Sequence, residues 1–162
     1  MRNPPNDVPS PGPKGLGGWL ILPIVGFWIT AAMSAHAIFF RHLPLFFDGT
    51  WPHVTNSNSS DFHPLWGTIL IFNLVTAVGL LGWLVLLLVL IHMKSAAAPR
   101  QAALFMATQF AIAIVAYLLL SIVSDEGFNV TEVGSLVRSL VAAVIWIAYF
   151  TASRRVRATF VQ

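Results

Sequence analysis

The sequence predicts an all-α, polytopic membrane protein: four transmembrane helices packed as a bundle. Three observations carry that prediction. Of the 162 residues, 57% are hydrophobic and only 9% charged, against about 25% charged in a soluble domain. A core of this size cannot hide so much apolar surface, so most of it must face lipid. Four segments reach the roughly 20 apolar residues needed to cross a hydrocarbon layer about 30 Å thick. None alternates strictly between apolar and polar residues, so the backbone is expected to satisfy itself in helices rather than in a barrel.

Taken in order, residues 1–17 begin "MRNPPNDVPSPGPKG", with five Pro in the first thirteen positions. With no apolar face to bury, this reads as a disordered tail. The first span takes residues 18–40. "RHLPLFFDGTWPHVTNSNSSDFHP" is the largest loop, and the second span follows at 65–93. "KSAAAPRQ" is a short linker broken by Pro99, after which the third span covers 102–123. "SDEGFNVTE" is a small acidic connection to the fourth span at 133–151. Residues 18–153 thus form one transmembrane domain, and 154–162 a basic tail.

Lys and Arg collect on the cytoplasmic side of a membrane. With both termini on that side, it holds Arg2, Lys14, Lys94, Arg100, Arg154, Arg155 and Arg157, while the opposite loops hold only Arg41. Both termini are therefore expected to be cytoplasmic. Ala35-His36-Ala37 has the small-x-small pattern of a signal-peptidase site. The preceding tail is long, however, and "IFF" continues the apolar run past that point, so a retained first helix is expected. The formal charge of +3 is too small and scattered for nucleic-acid binding. The absence of Cys excludes disulfides, thiolate metal sites and a Cys nucleophile.

Arg138 is the most conspicuous residue, a permanent charge inside an apolar run. Were the last helix to begin after it, the remaining residues 139–153 would span about 22 Å at 1.5 Å each, too short for the hydrocarbon core. Arg138 therefore belongs to the span, roughly 7–8 Å below its outer end. The expected arrangement is an ion pair with an acid of the adjoining connection, Asp125 or Glu126 first and Glu132 next; the alternative is a polar pocket or ligand contact facing the outside. Asn73 and Gln109 are the uncharged polar residues deepest in their helices, where amides usually bridge neighbouring helices. His42, His53 and His63 share the large loop with Asp48 and Asp61, all ligand types for a zinc-like ion, but their spacing fits no compact motif. Solvated loop residues are expected. Small residues recur every fourth position at Gly26, Thr30 and Ser34, at Ala103, Ala107 and Ala111, and at Ser135, Ser139 and Ala143. Such stripes let helices approach closely, within the bundle or between copies.

"GLGGWLILP" before the first span and "LVRSLVAAVIWIAYFTASRRVRATFV" at the end resemble a bacterial family, domain of unknown function 2569. The likeness runs over residues 15–161. Arg138-Ser139 matches the family's Arg-Ser early in the last span, and Ile145, Trp146, Ile147, Tyr149 and Phe150 match the motif that follows. Ala148 stands where the family has Pro, so the kink a proline imposes is not expected here. The resemblance implies a small bacterial four-helix protein of the cytoplasmic membrane and implies no activity.

The chain carries no Gly-rich phosphate loop, no G-x-S-x-G elbow, no H-E-x-x-H and no carboxylate pair within the membrane. No enzyme, cofactor or metal site is expected. Three function classes remain. The preferred one is a non-catalytic accessory subunit that steadies a larger membrane complex, with the lipid bilayer and other membrane proteins, or copies of itself, as partners. A small oligomeric transporter or channel around Asn73, Gln109 and Arg138 is the second. The third is an envelope sensor that binds a ligand through loop 41–64.

Overall fold

The computed structural model describes residues 18–123 and 130–160, and all regular structure among them is helical. A 3-10 turn at Gly18–Leu20 leads into α1, Ile21–Ala37, which ends in a π turn at Ile38–His42. A second 3-10 turn, Pro44–Phe46, and the short helix α2, Thr50–Thr55, follow. The long helices are α3 at Trp66–His92, α4 at Ala98–Val123 and α5 at Val130–Ala152. A last short helix, α6, covers Arg154–Thr159. Four stretches are long and apolar enough to cross a membrane: Gly18–Phe46, Trp66–His92, Ala98–Val123 and Val133–Ala152. This is the predicted four-span architecture.

Two of the boundaries that move do so for clear local reasons. α4 begins at Ala98, not near residue 102, because Pro99 sits in the first helical turn. There its missing N–H is one of the donors that no helix satisfies. The stretch read as a basic tail winds into α6, where the Ser153 side chain accepts from the backbone N–H of Val156 at 3.5 Å and caps the helix. Val156, Thr159 and Phe160 are buried, so α6 folds back onto the bundle.

The helices pack in sequence, α3 against α1, α4 against α3, and α5 against α4. Their common core lies at the end of the bundle that carries Gly18, the 93–97 turn and α6, here called the terminal end. Phe27 of α1 meets Phe105 of α4 edge-on and stacks on Phe150 of α5, both at 6.1 Å between ring centres. Trp83 of α3 stands edge-on to Phe105 at 5.9 Å and donates its indole N–H to Gln101 Oε1 at 3.1 Å. Every spanning helix thus contributes a ring to one cluster. Leu84, Leu87, Leu88, Ile91, Ala98 and Ala102 surround it, all buried. Below it the Arg155 guanidinium lies on Gly18. Gly18 has φ +63°, and a Cβ there would stand 2.5 Å from Arg155 Nη1. Only glycine fits both the backbone angle and the space.

At the opposite, loop end, the connection between α1 and α3 is a small cap. Phe46 stacks on Trp51 at 5.1 Å, and the α2 side chains of Thr55 and Trp51 rest against Gly67 at the start of α3.

Candidate functional site

Above the aromatic cluster the side chains become small or polar and the helices no longer fill the space between them. Three neighbouring cavities result. The first, about 330 Å³, lies between α1 and α5 with α4 behind it. Its walls include Pro23, Gly26, Phe110, Ala142 and Trp146, and the rim residues Leu22, Gly26 and Ala142 are exposed, so it opens sideways. The second, about 230 Å³, lies between α1, α3 and α4 and collects Thr30, Ser34, His42, Asn73, Thr76 and Gln109. The third, about 330 Å³, is bordered by Asn73, Tyr117, Ser135 and Ser139.

The sequence-predicted residues divide here. Asn73 and Gln109 come together on the second cavity, as helix-bridging amides would, yet neither side chain has a hydrogen-bond partner among the described residues. Three of the hydroxyls nearby are occupied by their own helices. Thr30 donates to the Gly26 carbonyl at 2.8 Å, Thr76 to Phe72 at 2.7 Å and Ser139 to Ser135 at 2.9 Å. Each hydroxyl oxygen keeps acceptor capacity. Arg138 lines none of the three cavities. It is exposed and makes no ion pair among the described residues. Asp125 and Glu126, its expected partners, lie outside the described residues, as does the side chain of Glu132.

His42 was read as a loop residue. The π turn carries it onto the second cavity instead, a placement typical of such turns at functional positions. Nothing in "IFFRH" announces the extra residue in the turn. Thr30 with Ser34, and Asn73 with Thr76, were more legible, since residues three or four apart share a helix face.

The other loop residues separate. His53 Nε2 pairs with Asp61 Oδ2 at 2.8 Å, and Ser59 Oγ stands 3.5 Å from His53 Nδ1. The residue types are those of a hydrolytic triad. The ion-paired side chains are more than half exposed, however, and such a pair in water anchors a loop better than it activates a hydroxyl. The hydrogen bond from His53, then that from Ser60, holds the Asp61 carboxyl below the usual carboxylate range. Asp48 accepts from the Thr50 backbone N–H, which lowers it likewise. His63 Nδ1 accepts from the Leu65 N–H at 3.2 Å. Among the described residues no three His, Asp or Glu side chains come close enough to share a metal ion.

The family model described as "Protein of unknown function (DUF2569)" matches residues 13–161, nearly the whole chain. The chain belongs to this family. The match includes all four spans and α6, so the aromatic cluster and the three cavities of this DUF2569 protein lie within the family region. The comparisons with curated proteins and with solved structures give no significant match.

Proposed function

We propose that this protein is a non-catalytic accessory subunit, with both termini cytoplasmic, that steadies a larger assembly in a bacterial cytoplasmic membrane. The observation that carries the reading is the unfilled middle of the bundle. The amides of Asn73 and Gln109 border cavities without partners among the described residues, and an unmet polar group away from water costs free energy. A chain closed at one end and unfilled above it is suited to being completed from outside. The later part of the small-residue stripe of α4 supports this, because it is unused within the chain: Ala107 and Ala111 are exposed on the outward face, while Ala103 is half-buried.

Purification from mild detergent tests the reading. A stoichiometric membrane partner is expected, lost when Ala107→Leu roughens the outward face of α4. A chain that stays alone in several mild detergents and in native nanodiscs overturns it. Reporter fusions test the orientation. A periplasm-active enzyme should be silent after Gln162 and active when inserted near Ser57.

A second reading is a small transporter, favoured by the meeting of His42, Asn73 and Gln109 on one cavity. A polar path through one copy would have to pass the rings of Phe27, Trp83, Phe105 and Phe150. This reading therefore needs oligomers, and liposomes without flux for a broad panel of ions and small solutes would sink it.

A further inference from the structure

We infer that the cleft between α1 and α5 binds an anionic glycerophospholipid from the loop-side leaflet, one acyl chain in the cleft and its phosphate on Arg138. The inference rests on the reading above only in taking the bundle's gap to be filled from outside.

The cleft offers about 330 Å³, in the lower part of the range that takes small ligands. An extended hydrocarbon chain is slim enough to enter it, and in a bilayer such chains lie against its sideways opening.

The lining agrees. Leu22, Pro23, Phe27, Phe110, Ala142 and Trp146 offer apolar wall. Gln109 borders the cleft as well, but it also borders the second cavity, where Asn73 and His42 give its amide polar company. Its hydrocarbon stem can face the chain while its amide turns away.

Charge gives the polarity of the ligand. Arg138 stands four residues before Ala142 on α5, hence on the same flank and one turn, about 6 Å, nearer the loop end. Ala142 forms the rim of the cleft, so Arg138 stands above its mouth. Its guanidinium is exposed and unpaired among the described residues. Set roughly 7–8 Å below the end of the span, it reaches the headgroup level by extending its stem. A phosphate there accepts two parallel hydrogen bonds from the fork, a geometry lysine cannot reproduce. A lipid with net negative charge gains the full attraction. A choline lipid brings its own cation to compete.

The test uses the purified full-length chain in native mass spectrometry, with phosphatidylglycerol and phosphatidylcholine of identical acyl chains. One phosphatidylglycerol should stay bound at about tenfold lower concentration than phosphatidylcholine, a difference of about 1.4 kcal/mol. R138Q should abolish that preference while leaving the melting temperature in detergent close to wild type. R138K should keep part of it. Ala142→Phe, which fills the cleft and leaves the charge, should weaken both lipids. Acyl-brominated phosphatidylglycerol should quench Trp146, seen as reduced quenching in Trp146→Phe. Inorganic phosphate should not compete. Equal retention of the two lipids, or retention unchanged in both R138Q and Ala142→Phe, overturns the inference, as does displacement by phosphate or by a second copy of the chain. A solitary chain that still selects phosphatidylglycerol would sink the accessory role and leave this inference standing.

Discussion

Phe105 and Gln109 lie one turn apart on α4, and the character of the molecule changes between them. Phe105 is 2% exposed and touches rings from α1 and α3. Gln109 is exposed to cavities and touches no hydrogen-bonding partner among the described residues. Below this line the four spans share one aromatic cluster, closed by α6 and by Arg155 on Gly18. Above it lie small side chains, hydroxyls turned back on their own helices, and three cavities. Dispersion between close-packed atoms holds a membrane bundle together, because lipid tails are as apolar as its core. The terminal half thus carries most of the packing that makes this a fold, and the loop half is loosely filled.

That division is breakable. Phe105→Ala should remove the centre of the cluster and cost about 3–5 kcal/mol of stability, read as a large fall in melting temperature in detergent or as denaturant unfolding. Gln109→Leu, four residues away, should cost nothing and can gain up to about 1 kcal/mol, because no hydrogen bond is lost. Equal losses at the two positions would erase the line between the halves.

The clamp beneath the cluster comes next in size. Gly18→Ala should cost about 1–3 kcal/mol through the left-handed backbone and the collision with Arg155. Adding Arg155→Ala should recover the collision part and leave the backbone part, so the double variant separates the two. If Gly18→Ala melts like wild type, the terminal end is not tied there.

The cluster also contains a flaw at Tyr149. The Tyr149 hydroxyl is buried without a hydrogen-bond partner among the described residues, while its ring packs edge-on to Phe150 at 5.7 Å and Trp146 at 5.8 Å. Tyr149→Phe keeps the ring and removes the unmet group, so a gain of about 1 kcal/mol is expected. A loss would mean that the hydroxyl has a partner, in a neighbouring protein or a bound water.

How much of this was readable from the letters follows the same line. The spans were legible because twenty apolar residues in lipid have one economical backbone solution. Asn73 and Gln109 were legible as deep amides; that they line one cavity without bridging their helices was not. The burial of Tyr149 was not legible, since its neighbours in the sequence look equally apolar in every direction. Which face of α5 turns inward around Tyr149 depends on tertiary packing, because residues 140–150 are apolar on every side. The π turn at Ile38–His42 was invisible for a related reason: inserting a residue changes hydrogen-bond register, not composition. α6 was hidden by its charge. Three Arg in "RRVRAT" read as tail, although Val156 and Thr159 supply the face that buries.

The smallest expected effect belongs to the loop cap, where the His53–Asp61 pair stands in water. The Asp61 carboxyl is held below the usual carboxylate range by the hydrogen bond from His53, so its folded pKa lies under its unfolded one. The contribution is therefore present above the unfolded carboxylate range and is lost as pH falls through the folded value. Asp48, lowered by the Thr50 backbone N–H, acts in the same direction and in the same window. Between pH 7 and pH 5 the cap should hold, and below about pH 4 it should loosen. Trp51, stacked on Phe46 within the cap, offers the readout. Its fluorescence, isolated by difference against Trp51→Phe, should shift in the acid window while the terminal half keeps its melting temperature. Asp61→Asn should flatten most of that acid transition and, because the pair is exposed, change stability at neutral pH very little. An acid transition that persists unchanged in a variant carrying both Asp61→Asn and Asp48→Asn would place the pH response elsewhere. A terminal half that melts in step with the cap would show that the two halves are one cooperative unit after all.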